Sequence, residues 1–205
     1  MFAWSTLVVF TTASLALVLI PGPNHLYITT RALAQGRRAG VASALGVECG
    51  TLVHVAAAAL GLSVLVRQSA TLFEVVRWAG VAYLVYLGVR ALTGRDGGGE
   101  QAVKAQPLRA VFLEGVLVNV LNPKVALFFL AFLPAFVDPG RGAPAAQIAV
   151  FGVILFTLGL ISDLVYAFAA GALGTKLAAK ARGLRLFSGV VYLGLGAVTA
   201  LAGRR

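Results

Sequence analysis

Two proline-containing interruptions decide the fold of this chain. Residues 17–28 read LVLIPGPNHLYI, and residues 116–129 read VLVNVLNPKVALFF. A proline inside a helix costs about 3 kcal/mol or more, whereas a proline at the first helical position costs little. The glycine and the asparagine that precede the two prolines are both accepted at the position where a helix begins. Each stretch therefore predicts that one half-helix ends and another begins, at Pro23 and at Pro123.

The sequence around these interruptions is too apolar for a soluble domain. Of its 205 residues, 60% are hydrophobic and 12% are charged, whereas soluble domains carry about 25% charged residues. Six segments reach the roughly 20 apolar residues that span a membrane. We predict an all-α integral membrane protein that forms a single transmembrane domain over residues 1–205. The predicted transmembrane helices cover residues 3–34, 41–66, 71–92, 109–137, 145–174 and 184–203.

The chain also contains an internal repeat. Residues 45–61, LGVECGTLVHVAAAALG, match residues 158–174, LGLISDLVYAFAAGALG, at seven positions with a fixed offset of 113. A second pair, GVAYL at 80–84 and GVVYL at 189–193, is offset by 109. Two separate matches at nearly equal offsets indicate that the first three helices were duplicated to give the last three.

An odd number of helices in each copy has a consequence for orientation. The second copy enters the membrane from the opposite side, which predicts a 3+3 inverted repeat with broken first and fourth helices. Repeat one covers about 3–92, a loop covers about 93–108, and repeat two covers about 109–203. Inverted repeats are a transporter architecture in which the binding site lies near the midplane, between the copies.

The positive charges predict the orientation of the helices. Cytoplasmic loops carry an excess of Lys and Arg. With the N-terminus outside, the cytoplasmic loops hold eleven such residues, whereas the opposite orientation places five inside. This bias predicts that both termini lie outside, with the loop at 93–108 in the cytoplasm. The net charge of +10 is spread over short loops rather than gathered on one basic face, which argues against nucleic-acid binding. The N-terminal residues MFAWSTLVVF also lack the basic region of a cleaved signal peptide.

Helix starts in mid-membrane expose N–H groups that carry partial positive charge and attract anions. We expect new half-helices from Pro23 to about Ala34 and from Pro123 to about Phe136. In an inverted repeat the two starts face each other, and together they suit a small carboxylate. Lys124, one residue inside the second start, adds a full positive charge. Two proline kinks that only shape packing are the alternative, which the matched positions in a duplicated chain disfavour.

Two carboxylates are predicted to lie inside the membrane, Glu48 and Asp163. An ionised side chain at the bilayer centre costs about 2.5–3.5 kcal/mol on insertion scales, so it usually faces a cavity and a partner. The internal alignment places Asp163 opposite Gly50, two residues from Glu48, which predicts that both lie at similar depth. We interpret the pair as a site that binds an ammonium group or takes and releases a proton. A structural ion pair between Asp163 and Lys124 is the alternative.

Other reactive side chains are few. The single cysteine, Cys49, excludes a carrier that shuttles electrons through a dithiol. His54 is interpreted as a hydrogen-bonded core residue, and His25 is left between a site contact and a capping or packing role. No H-E-x-x-H, G-x-S-x-G or P-loop motif occurs. We therefore expect no enzyme, no metal site and no cofactor.

The motifs resemble those of the LysE/RhtB family of amino-acid exporters (lysine exporter / homoserine–threonine resistance type). The resemblance covers nearly the whole chain, and it implies export of amino acids or close derivatives across the cytoplasmic (inner) membrane, driven by the proton gradient. An efflux carrier for an inorganic cation or another small metabolite remains the alternative, and a homo-oligomer is left open. The matching blocks are PGPNHLYITTRALAQGRRAGVASALG (21–46), GVAYLVYLGVR (80–90) and LNPKVALFFLAFLPAFV (121–137).

The resemblance also implies where the transport core lies. It places the PGP and NPK motifs at that core and an aspartate on the fifth helix. An aspartate often follows PGP in the family, whereas this chain has Asn24. The coupling or amine-binding residues are Asp163 and Glu48. The predicted substrate-binding residues are Pro21, Gly22, Pro23, Asn24, Asn122, Pro123 and Lys124.

Overall fold

A computed structural model describes residues 3–62, 70–93 and 105–179, together with scattered helical positions between 183 and 200. All regular structure in these residues is helical. Two π-helical turns, Ala58–Leu62 and Phe128–Phe132, and two 3-10 turns, Leu133–Phe136 and Pro139–Arg141, complete it. In chain order, the α-helices are α1 (Trp4–Leu19), α2 (Pro23–Gln35), α3 (Arg37–Ala57), α4 (Ala70–Thr93), α5 (Leu108–Val120), α6 (Pro123–Leu127) and α7 (Pro144–Ala179).

Several of these helices have the length and composition of membrane spans. The helical segments Arg37–Gly61 and Pro144–Ala170 are each long and apolar enough to cross a membrane. Two bent pairs, α1 with α2 and α5 with the helical segment that follows Pro123, raise the number to four if each pair is one span. The described part of the chain is therefore an all-helical protein with several apolar helices, as expected of a multi-pass membrane protein.

The complete six-helix arrangement stays a prediction. Helix α4 forms where the third transmembrane helix is predicted. Most of the sixth predicted helix, residues 184–203, and most of the loop at 93–108 lie outside the described residues. Where α4 does meet the last segment, a Cβ at Gly88 would lie 3.1 Å from the Gly189 carbonyl oxygen. Glycine allows this close approach between two helices.

The predicted breaks are present in both halves. The chain turns by 47° between α1 and α2, where Gly22 is extended and Pro23 is the first helical residue. It turns by 53° after α5, where Asn122 caps the next helix. The Asn122 side-chain oxygen accepts a hydrogen bond from the backbone N–H of Lys124 at 3.0 Å. The prediction of broken helices at these two prolines is confirmed.

The new half-helices also end where the sequence predicts. Helix α2 ends at Gln35, one residue beyond the expected end. Helix α6 is short, but the π-turn Phe128–Phe132 and the 3-10 turn Leu133–Phe136 continue it to the expected end. Buried phenylalanines from α1, from this segment and from α7 hold it in place, with the rings of Phe10 and Phe151 4.4 Å apart. An aromatic core thus fixes the helix that begins at the second break.

Glycines bring α3 and α5 into backbone contact. A Cβ at Gly46 would collide with the Phe112 carbonyl oxygen, and one at Gly50 would lie 2.7 Å from the Asn119 Cβ. On the facing helix, a Cβ at Gly115 would lie 2.8 Å from a backbone oxygen of α3. Small residues at such positions let two helix backbones approach closely. The glycines therefore join a helix of the first predicted repeat directly to one of the second.

A polar cluster joins α2 to α5 about one to two turns beyond the first break. The Tyr27 hydroxyl donates to the Val111 carbonyl at 2.6 Å and lies 3.1 Å from Glu114 Oε2. Arg31, which is buried, donates through Nη2 to the same carboxylate. We call these four residues the α2–α5 ion-pair cluster. This cluster is a further contact between the two predicted repeats.

We predict that Gly46→Ala lowers stability, because its new methyl group has no space against the α5 backbone. Overpacking of this kind costs about 1–3 kcal/mol. The midpoint of thermal unfolding in detergent should fall accordingly. The control is Gly61→Ala, since a Cβ at Gly61 meets no atom of the described residues within 4 Å. Equal midpoints for the two variants would contradict the close contact.

Candidate functional site

A cavity of about 50 Å³ lies where the two breaks meet α3 and α7. It has room for a few water molecules. Pro23 and Pro123 are the first residues of the half-helices beside it. Pro21 lies in the first break, between the end of α1 and the start of α2. Six of the nine predicted site residues line the cavity: Gly22, Asn24, Glu48, Asn122, Lys124 and Asp163. Residues that are far apart in sequence thus converge on one space.

Lys124 crosses from the second break to the first. Its Nζ donates to the Ile20 carbonyl at 3.0 Å, and the side chain is buried. The Ile20 carbonyl lies at the C-terminal end of α1, where the helix dipole is negative and favours a cation. An ammonium group has three donors, so the bond to Ile20 leaves two for a ligand. Lys124 therefore completes the first break and also contributes positive charge to the cavity.

Glu48 and Asp163 form the acidic side of the cavity. Their side chains interact directly, and they are only 4% and 3% exposed. Glu48 packs over Gly159, where an added Cβ would collide with its Oε1. Two of the carboxylate oxygens, Glu48 Oε2 and Asp163 Oδ2, have no hydrogen-bond partner among the described residues. Buried oxygens of this kind are costly unless a partner arrives, so they suit a cation or a proton.

His25 lies directly beside Asp163. Its Nε2 lies 3.4 Å from Asp163 Oδ1 and 3.4 Å from Ser162 Oγ, and the side chain is buried against the cavity. Its ring lies 4.1 Å from that of Tyr166. Of the two roles left open by the sequence, the structure places His25 at the site. The alternative pair of Asp163 with Lys124 stays a prediction, since both residues line the same cavity.

A network of amide side chains holds the two breaks together. Asn24 Nδ2 donates to Asn119 Oδ1 at 2.9 Å, and Asn122 Nδ2 donates to Asn24 Oδ1 at 2.8 Å. Asn119 Nδ2 in turn donates to the Val47 carbonyl at 2.6 Å and to Thr51 Oγ1 at 2.9 Å. Asn24 both donates and accepts, which an ionised carboxylate cannot do. An asparagine at this position therefore fits the network.

Sequence reasoning missed three polar residues of this region: Thr51, Asn119 and Ser162. Asn119 carried a usable signal, because it lies in an apolar run one turn before Pro123. Its partners were not predictable from spacing, because they lie on helices of the other predicted repeat. His54, by contrast, behaves as interpreted: its Nε2 lies 3.2 Å from the Asn119 carbonyl oxygen, and its ring stacks on Phe129.

Broken helices that meet at a charged cavity define a membrane transport protein, and comparison with known proteins agrees. The model of the LysE type translocator family matches residues 15–203. The chain therefore belongs to this family, and the resemblance drawn from the sequence motifs is confirmed. No solved structure matches the chain.

Relatives with similar sequences include membrane proteins from three bacteria. A leucine efflux protein of Klebsiella pneumoniae is 32% identical over 150 residues, which cover 71% of this chain and 68% of the relative. An uncharacterized membrane protein of Pseudomonas aeruginosa is 34% identical over 187 residues, with 88% and 85% covered. One of Vibrio cholerae is 30% identical over 188 residues, with 90% and 91% covered. These similarities and the apolar helices identify a multi-pass membrane protein.

We predict that Asn119→Ala destabilises the protein, because it removes the acceptor of the Asn24 amide N–H and the bonds from Asn119 to the Val47 carbonyl and to Thr51. An unsatisfied buried polar group costs about 1–3 kcal/mol. Unfolding in detergent, followed by heat or denaturant, measures the loss. Thr157→Ala is the matched control, since its exposed hydroxyl bonds only its own helix, at the Val153 carbonyl. If both variants unfold like the wild type, the amide network does not hold the breaks together.

Proposed function

We propose that this protein is a secondary carrier that exports amino acids or close derivatives from the cytoplasm, coupled to the proton gradient. The observation that carries the proposal is the charge arrangement of the cavity. Lys124 lines it, and so do Glu48 and Asp163, each with one carboxylate oxygen that has no partner among the described residues. An amino acid carries a carboxylate and an ammonium group on neighbouring atoms, so it matches both signs of charge.

The substrate carboxylate is proposed to bind between the two breaks. There, Lys124 has donors left beyond its bond to Ile20, and the start of α6 adds the partial positive charge of a helix N-terminus. In the same way, half-helix starts in other secondary transporters point at anionic substrate groups. Gly22 has no side chain, and a Cβ at this position would lie 3.6 Å from Lys124 Nζ. This part of the cavity is therefore open to a small anion.

The substrate ammonium is proposed to bind at the acidic side, between Glu48 and Asp163. The apolar part of the wall comes from Leu17, Val18, Val125 and Leu155. Such a wall favours an aliphatic side chain over a charged one, because burying a second charge there carries a desolvation cost. The name of the relative from Klebsiella pneumoniae, a leucine efflux protein, supports the same substrate class.

Counterflow in proteoliposomes tests this function. Vesicles that contain the purified protein are loaded with unlabelled leucine, and the uptake of labelled leucine is measured. We expect saturable uptake that isoleucine, valine and methionine inhibit and that lysine and glutamate do not. Vesicles without protein are the control. If no amino acid supports counterflow in folded protein, the amino-acid assignment is wrong, and the inorganic cation becomes the better candidate.

We further predict that Asp163→Asn, Glu48→Gln and Lys124→Met each reduce counterflow at least about 10-fold, a loss of about 1.4 kcal/mol in substrate interaction. Each change removes one charge from the cavity. Asp138→Asn is the matched control, because Asp138 is an exposed carboxylate beside a 3-10 turn. A variant at Asp163 that transports as well as the wild type would remove that residue from the mechanism.

A further inference from the structure

His25 has a feature that substrate binding does not explain. Besides the two carboxylate oxygens, its Nδ1 is a buried side-chain atom at the cavity without a hydrogen-bond partner among the described residues. The side chain is 5% exposed. A buried imidazole nitrogen normally bonds to a partner. A histidine at a binding site whose second ring nitrogen has no partner can bind a proton at that nitrogen.

The hydrogen bonds around the ring decide which nitrogen is open. Ser162 Oγ donates to the Val18 carbonyl at 3.2 Å, so its single proton is already used. It can therefore only accept from His25 Nε2, and the carboxylate of Asp163 can only accept as well. This arrangement favours the tautomer that carries the hydrogen on Nε2. In the neutral ring, the lone pair is on Nδ1, which is the unpartnered atom.

We propose that His25 holds the coupling proton and that its protonated ring competes with the substrate ammonium for Asp163. Binding of one proton at Nδ1 converts the imidazole into an imidazolium with one positive charge, and no other bond changes. The imidazolium donates through Nε2 to Asp163 Oδ1. The cavity side of Asp163 then faces a neutralised pair, which attracts an ammonium group less.

The charged neighbours of His25 act on its ring in both directions. Asp163 and Tyr166 face the ring from α7, Lys124 faces it from α6, and Glu48 lies behind Asp163 on α3. The two carboxylates favour an imidazolium, whereas the positive charge of Lys124 disfavours it. At Asp163, either an imidazolium at His25 or a substrate ammonium supplies the opposing positive charge, while the substrate carboxylate pairs with Lys124. Mutual exclusion of proton and substrate is what an exchange of one for the other requires.

The inference rests on the proposed function. It assigns to separate residues two roles, amine binding and proton coupling, that the sequence analysis gives jointly to Glu48 and Asp163. Glu48 and Asp163 bind the amine, and His25 holds the proton. His25→Gln separates these roles, because an amide N–H can still donate to Asp163 but cannot bind a proton near neutral pH. His25→Asn serves the same purpose if the glutamine variant does not fold.

The experiment measures labelled leucine in proteoliposomes in two ways. Counterflow at equal pH on both sides reports binding and exchange. Accumulation driven by an imposed pH difference reports coupling, and a pH dye inside the vesicles reports the accompanying proton movement. We expect His25→Gln to reduce pH-driven accumulation at least about 10-fold more than it reduces counterflow. The control is His54→Gln, which should keep both, because His54 lies outside the cavity lining.

Three outcomes would overturn the inference, and each is distinct. If His25→Gln keeps pH-driven accumulation at the wild-type level, His25 does not hold the proton. If it loses counterflow to the same extent, its role is only to position Asp163. If the wild type shows counterflow but no pH-driven accumulation, proton coupling is wrong while amino-acid exchange stands. Absence of counterflow in the wild type would instead refute the proposed function itself.

Discussion

The structure depends on one constraint, which is that a helix cannot end inside a membrane unless its free backbone groups find partners. In this chain, residues at each break supply these partners to the other break. Lys124, from the second break, bonds the Ile20 carbonyl at the end of α1. Asn24, from the first break, bonds Asn122, whose side chain caps the start of α6. Neither break is complete alone, so the two form together.

This mutual completion explains why the site is charged. The residues that satisfy a broken backbone in lipid are polar, and they must be buried. Once Lys124 is buried at the breaks, nearby carboxylates lower the cost of its charge. Glu48 and Asp163 supply two, and they leave two oxygens unpartnered. The same groups that stabilise the breaks therefore line a space that contains both signs of charge and two open carboxylate oxygens. A small zwitterion matches both signs of charge, and a proton can bind at an open oxygen.

The sequence predicts the breaks well, because they follow from local rules. Proline at the first helical position and asparagine before it act over three or four residues, and the ends of the half-helices fall where expected. The convergence of Glu48 and Asp163 was also predictable, because the internal repeat relates their helices. The bond from Lys124 to the Ile20 carbonyl was not, since it joins residues 104 apart in the chain. The role of His25 stayed open for the same reason, because its partners Ser162 and Asp163 lie on α7.

The glycine contact between α3 and α5 has a mechanical consequence. With no layer of side chains between their backbones at Gly46 and Gly115, the two helices cannot slide past one another without a clash. The contact therefore resists sliding of α3 along α5, although the two helices belong to different predicted repeats. Glu48 lies on α3 and Asp163 lies on α7, so a movement of α7 relative to the α3–α5 pair would change the distance between the two carboxylates.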